Sequence, residues 1–226
     1  MDASLARREI KYLLDPRSAI NLKSKLMKML PLDANSPMNG YSVRSLYFDT
    51  IYDRDYYDKI DGLETRRKIR LRVYGPDDKT AKLEVKLKSG INQWKQSAAI
   101  EREDARLVIE RRYGELLEKY DAPFLQAVFY KMETDCYMPK IIIEYNRIAF
   151  VNHSNLTRIT IDSALKSAIS SFDIFSDRLP LCPVMCPIIL EVKYNRFLLS
   201  HIKSALSIVD KTPVSISKYC LCRQAG

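Results

Sequence analysis

The chain has 226 residues, 46% of them hydrophobic, enough for a substantial core. Its 37 Lys and Arg outnumber 28 Asp and Glu, a net charge of +9, so an anionic partner is expected: nucleic acid, a membrane surface or a phosphorylated substrate. Five scattered cysteines, an odd number, argue against a disulfide-stapled secreted module.

The opening stretch MDASLARREIKYLL lacks the apolar segment of a signal peptide, and the most apolar run, PLCPVMCPIIL, is too short and too proline-broken to span a bilayer. A soluble cytoplasmic protein is therefore expected. Period-two alternation predicts a first strand over 8–14 (REIKYLL). DPRSAINLKSKLMKML then predicts a helix, with Asp15 as N-cap and Pro16 at its first position. A strand follows over 41–49 (YSVRSLYFD). IYDRDYYDKI (51–60) reads as a short amphipathic helix, with adenine stacking as the alternative use of its tyrosines. RRKIRLRVYG (66–75) and AKLEVKLK (81–88) are predicted strands joined by the turn GPDDKT (75–80). The stretch 104–133 reads as helices broken near Pro123. Further strands are predicted over 140–150, 157–162 and 188–195, an irregular loop over 170–187, and an amphipathic helix over 196–209. No repeat or linker divides residues 1–226, so one domain is expected. Its class is α+β: an antiparallel sheet or barrel flanked by helices.

The charges follow the strand period. In 66–75, Arg66, Lys68, Arg70 and Arg72 share one face, while Ile69, Leu71 and Val73 take the other. Three strands carry Glu-x-Lys with both charges on one face: Glu9/Lys11, Glu84/Lys86 and Glu191/Lys193. Arg7 extends the first face, and Lys82 and Lys88 flank the second. Tyr145 and Arg147 share a face in EYNR, as do Arg158, Thr160 and Asp162 in RITID. One reading is a sheet with a solvated face of cross-strand ion pairs. The other is a closed barrel with its charged faces inward, occupied by an anion beside a glutamate-held divalent metal.

REIKYLL, SLYFDT, IRLRVYG, LEVKLKSG, EYNR, RITID, LEVKYN and SISKY follow the order of motifs in the VTC (vacuolar transporter chaperone) polyphosphate-polymerase domain, which this chain resembles from about residue 8 to 220. That family belongs to the CYTH-like triphosphate tunnel metalloenzymes, whose barrel is lined by Glu-x-Lys strands, so the resemblance implies an antiparallel β-barrel with a charged interior, flanked by helices. The resemblance implies transfer of the ATP γ-phosphate to a growing polyphosphate chain with Mn²⁺ or Mg²⁺. It implies that Arg70 and Arg72 grip nucleotide phosphates near the reacting bond, with Lys86 a further phosphate contact and Lys193, also catalytic, beside Glu191. Lys11, Lys95, Tyr145, Arg147, Arg158, Ser217 and Lys218 become further substrate contacts, and Glu191 the metal-binding carboxylate. Ser215 stands where the family usually has a basic residue, which puts chain-length handling in doubt. The chain offers no room for the family's regulatory SPX domain or membrane segments, so sensing and translocation are not carried over; a membrane partner stays open.

The chemistry suits the resemblance. Phosphoryl transfer needs positioning and charge stabilisation, and a polyphosphate end is already an anionic nucleophile that needs no base. Only His153 and His201 are present, neither near a charged motif, and no GxxxxGK[ST] loop occurs. Pyrophosphate or phosphate would prime the reaction. The alternatives are a metal-dependent triphosphatase, with Glu9 or Glu84 activating water, and a non-catalytic polyphosphate- or RNA-binding module. Nucleic acid is disfavoured because the strand cations alternate with aliphatic residues rather than stacking aromatics. Cys182, Cys186, Cys220 and Cys222 are expected to be ordinary thiols rather than a zinc site. Trp94 is either an adenine platform or rim packing, and Phe172 and Phe175 either a lid or part of a surface loop.

Overall fold

In the strands Thr65–Val73 and Thr80–Ser89 one parity is largely apolar and the other largely charged, and Ile69, Leu71, Val73, Ala81 and Leu83 of the apolar parity are buried. The computed structural model describes residues 7–90, 92–207, 209 and 212–225; residues 1–6, part of the stretch read for a leader, lie outside them. The elements in chain order are β1 (Arg7–Leu14), α1 (Pro16–Met27), β2 (Tyr41–Thr50), α2 (Arg54–Ile60), β3 (Thr65–Val73), β4 (Thr80–Ser89) and β5 (Asn92–Glu101). Then come α3 (Arg102–Ile109), α4 (Tyr113–Lys119), α5 (Pro123–Thr134), β6 (Tyr137–Asn152), β7 (Thr157–Ala168), β8 (Cys182–Pro183), β9 (Ile188–Asn195), α6 (Ser200–Leu206) and α7 (Lys218–Ala225). The class is α+β, an antiparallel sheet with helices, as expected.

The hydrogen-bonded strand order is β1-β9-β7-β6-β2-β3-β4-β5, with β8 on β7. Among the described residues no ladder joins β1 to β5. The sheet is open, which corrects the expectation of a closed barrel. The chain forms two compact units: one from 1–42, 145–165 and 185–217, the other from 43–144, 166–184 and 218–226.

In the first unit Leu14, Leu22, Leu26, Ile159, Ile161, Leu190, Val192 and Ile202 form the core. Helix α1 contributes Ala19, Leu22 and Leu26, spaced to share one face. Asp15 caps it, its carboxylate accepting from the Ser18 N–H at 2.9 Å, and Pro16 occupies the first turn, where a missing N–H costs nothing. Gly40, at φ +81°, lies so close to the β6 backbone that a Cβ would meet the Arg147 carbonyl at 2.7 Å.

In the second unit the apolar parities of β3 and β4 (Ile69, Leu71, Val73, Ala81, Leu83) pack with Leu46 and Phe48 of β2. Val108, Leu116, Phe129 and Met132 of α3–α5 complete that core. The β3–β4 turn forms as expected: the Asp78 carboxylate accepts from the Tyr74 N–H at 2.7 Å. Pro123 opens α5 rather than breaking a longer helix.

Three elements depart from expectation. β5 lacks apolar alternation, and Asn92–Ser97 are exposed; its strand character comes from pairing along all of β4. The helix expected over 196–209 is confined to 200–206, because Arg196 sits at φ +57°, outside the helical region. α7 is an addition, carrying three buried residues, Tyr219, Cys220 and Cys222. The 170–187 segment is irregular apart from β8, but Phe175 is buried in the core with the Arg102 guanidinium 4.5 Å from its ring centre and Phe172 packs against that core, so neither the lid nor the surface-loop reading describes Phe175.

Candidate functional site

The charged face of β3–β5, in the second unit, is set by register. Arg66 lies opposite Lys88, Lys68 opposite Lys86, and Arg72 opposite Lys82; only Arg70 meets an acid, Glu84. On the next strand Lys86 faces Lys95 and Glu84 faces Ser97. Eight cations thus lie on this face of three adjacent strands, and Glu84 is the one acid among the four β3–β4 pairs there. Like charges directly opposite in a sheet repel, each pair costing on the order of 1 kcal/mol at a surface-like dielectric. A solvated face of compensating ion pairs would not have this register.

Glu84 sits under the cations and is 3% exposed. Its carboxylate accepts from Arg70 Nε at 2.7 Å and lies 3.5 Å from Arg72 Nη2, and Lys95 Nζ contacts its other oxygen. Burial pushes its pKa up, but Arg70, Arg72 and Lys95 together outweigh burial and hold it down at about 2. Glu84 is thus a fixed anion and a poor base, which counts against its use to activate water. Arg70 Nη1 also donates to the Tyr47 hydroxyl at 2.8 Å, and Arg72 Nε to Ser45 Oγ at 3.5 Å. Ser45 and Tyr47 stand opposite Arg72 and Arg70 in the β2–β3 register.

The polar face of β1, β9 and β7, in the first unit, is balanced. Glu9 lies opposite Lys193 and Lys11 opposite Glu191; on β7, Arg158 faces Lys193 and Thr160 faces Glu191. Lys11 Nζ is 3.0 Å from Glu9 and 3.5 Å from Glu191, and Lys193 Nζ is 2.5 Å from Glu191. Arg147 makes a two-pronged pair with Asp162 at 2.7 Å on both oxygens, its guanidinium 5.2 Å from the centre of the Tyr145 ring. Arg158 is drawn to Asp33 at 3.0 Å. Burial acts to raise the Glu191 pKa, but Lys193, Lys11 and Arg147 hold it well below the carboxylate range. Burial likewise opposes the charge on Lys11, yet Glu191 and Glu9 keep its pKa raised. The Thr160 hydroxyl is buried and has no hydrogen-bond partner among the described residues.

The structure therefore gathers Arg70, Arg72, Lys86 and Lys95 on one face, and Lys11, Arg147, Arg158, Glu191 and Lys193 on another. Tyr145, 4% exposed, belongs with the second group. Ser217 is buried, just past a segment whose Val214 N–H donates to the Lys11 carbonyl, and Lys218 is the first residue of α7. Sequence reasoning missed Ser45, Tyr47 and Asp49, although the alternation of SLYFD already placed all three on one face. Trp94 lies opposite Leu87, on the parity away from Lys95, so it does not extend the cationic face. Among the described residues no three His, Cys, Asp or Glu side chains gather into a group that could hold a metal, and Cys182, Cys186, Cys220 and Cys222 form no disulfide.

Comparison with known proteins bears on this geometry. The sequence profile described as the VTC domain matches residues 6–225. The chain belongs to the VTC domain family. No curated protein matches it in sequence. Among solved structures, the VTC domain described here is similar to a proposed adenylate cyclase from Bacillus halodurans, at 12% identity and TM-score 0.51, covering 94% of this chain and 95% of that one. It is also similar to a proposed adenylate cyclase from Vibrio parahaemolyticus, at 11% identity and TM-score 0.50, covering 96% and 97%. At such identities the likeness establishes a shared fold. No described helix of this VTC domain is long and apolar enough to cross a membrane.

Proposed function

We propose that this VTC domain is an ATP-dependent polyphosphate polymerase. The observation that supports it best is the register of β3–β5, where three of the four β3–β4 pairs on the charged face set cation against cation and the fourth sets Arg70 against Glu84. Such a face is relieved by a multiply charged, narrow anion, and a run of phosphates supplies several negative charges with oxygens that accept charge-assisted hydrogen bonds. Arg70 and Arg72 act as forks on phosphate oxygens, and Lys86 and Lys95 as point charges along the same run. On the other face, Lys11, Lys193 and Arg147 contact phosphate only after competing with the acids that now hold them. Tyr145, Arg158, Ser217 and Lys218 complete the substrate contacts.

The donor set fits a divalent cation. Glu9 and Glu191 offer hard carboxylate oxygens that share the same two lysines, and Mg²⁺ or Mn²⁺ is commonly held by one or two carboxylates plus substrate phosphate. When bound, the cation neutralises phosphate charge. In the reaction the terminal oxyanion of the acceptor attacks the γ-phosphorus, the bond to the bridging oxygen breaks, and ADP leaves with that electron pair. No proton moves, so the chain needs no general base. Its residues place the phosphates and hold water away from them.

ATP labelled in the γ-phosphate, incubated with tripolyphosphate and Mn²⁺ or Mg²⁺, tests the reading. Label appearing in chains longer than the acceptor is the expected result; label released only as phosphate replaces the polymerase with a triphosphatase.

A further inference from the structure

The motif SLYFDT carries the family resemblance, yet the reading above gives none of its residues a task. Within the second unit it meets α7. Tyr47, 6% exposed, stacks on Tyr219 with ring centres 5.2 Å apart and planes within 14°. The Tyr219 hydroxyl donates to Asp49 Oδ2 at 2.7 Å, and Asp49 also accepts from the backbone N–H groups of Thr50, Asp55 and Tyr56. Asp49 is fully buried, so this carboxylate is immobile. The helix carrying Tyr219 is fastened separately, since Arg223 forms a two-pronged pair with Asp53 at 3.1 and 2.8 Å.

At the other end of this chain of contacts stands Arg70. Its Nη1 donates to the Tyr47 hydroxyl, its guanidinium carbon lies 5.7 Å from the Tyr47 ring centre, and its Nε donates to Glu84. Glu84 alone fixes one edge of the guanidinium; a second contact on a different nitrogen fixes its orientation. An arginine with Lys68 and Arg72 beside it on the same strand face needs that restraint, because their repulsion otherwise drives it toward solvent. The restraint is useful only if it comes from a rigid support, and the tyrosine stack bound to a buried aspartate provides one.

We infer that Tyr47 is a positioning residue for phosphate binding: it orients the Arg70 guanidinium, and it is itself held by Tyr219 of α7 and by Asp49. The inference rests on the reading that Arg70 contacts phosphate, and names what makes that contact effective. It also gives α7 a role beyond packing, because the orientation of a residue on β3 depends on a tyrosine of that helix.

A double-mutant cycle on the full chain tests it, with inorganic tripolyphosphate as the probe and calorimetric titration as the readout. Tyr47→Phe keeps the ring stack and removes only the hydroxyl that meets Arg70. It is expected to weaken binding by about three- to tenfold, the range for one ordinary hydrogen bond, because the hydroxyl acts on phosphate only through Arg70. In an Arg70→Ala background the same change is expected to alter affinity by less than about twofold, since nothing is left to orient. A purely structural tyrosine shows the same loss in both backgrounds, and that result overturns the inference, as does wild-type affinity in Tyr47→Phe. If Tyr47→Phe does not fold, Tyr219→Phe carries the same cycle: a loss that vanishes with Arg70 supports the inference, and an equal loss in both backgrounds overturns it. Unchanged affinity in Arg70→Ala alone removes the phosphate-face reading beneath it, and this inference with it.

Discussion

Neutralising Glu84 separates a cationic face built for an anion from one held together by its own salt bridge. Glu84→Gln keeps the volume and one carbonyl oxygen for Arg70 Nε, and removes the charge. The folded pKa is depressed from 4.5 to about 2, so the charged form gains roughly 3 kcal/mol from its partners. Lys95 is 49% exposed and Arg70 24%, so screening reduces this to about 2 kcal/mol. The sign follows from the depression: this stability is present above the unfolded pKa near 4.5 and is lost as pH falls toward 2. At pH 7 the variant is therefore expected to be less stable by about 2 kcal/mol. Its affinity for tripolyphosphate moves the other way. Removing one negative charge several ångströms from a multiply charged anion is worth about 1–2 kcal/mol, or roughly five- to thirtyfold at low salt. Urea melts without ligand and titrations with tripolyphosphate at low and high salt measure both quantities. A variant that is less stable and also binds more weakly would refute the reasoning, because the face would then depend on Glu84 for order rather than on an anion for charge balance.

Arg72→Ala removes a charge-assisted contact and is expected to cost about ten- to a hundredfold in tripolyphosphate affinity by titration. Wild-type affinity should fall steeply with salt, because several cations engage at once; a flat salt dependence removes the β3–β5 face from binding. Glu191→Gln is expected to abolish metal-dependent turnover while metal-free tripolyphosphate binding holds or tightens; normal turnover takes Glu191 out of the metal site. Asp55 is raised to about 7 by burial and by the neighbouring Asp49, against the opposing Tyr137 hydroxyl and Arg67. Its protonated form favours the folded state, so its contribution is complete below about pH 4 and is lost as pH rises toward 7, by about 2–4 kcal/mol. Asp55→Asn, which mimics the protonated form, should flatten the dependence of urea stability between pH 5 and 7.5; an unchanged slope counts against that assignment.

The cationic stripe was legible in RRKIRLRVYG because strand period alone puts Arg66, Lys68, Arg70 and Arg72 on one side. What faces it was not. Register depends on the β3–β4 turn and on β5, whose exposed, unpatterned residues give no strand signal until β4 pairs with them. The pairing of Lys86 with both Lys68 and Lys95 therefore emerges only in three dimensions. The same holds for the balance of the other face. Asp33, in a connecting segment, neutralises Arg158 of β7, and local sequence carries no trace of that contact. Trp94 is the opposite case: its parity relative to Lys95 already assigned it to the other side of β5. The open sheet also lay beyond the sequence, since alternation specifies which face is charged and says nothing of whether the first and last strands meet.

The polymerase claim is tested most directly by resolving products by length after incubating the purified chain with ATP, Mn²⁺ or Mg²⁺, and pyrophosphate as primer. The account predicts ADP together with long polyphosphate whose yield depends on the metal and falls in Arg70→Ala. ADP accompanied only by free phosphate, with every metal and primer, would contradict it.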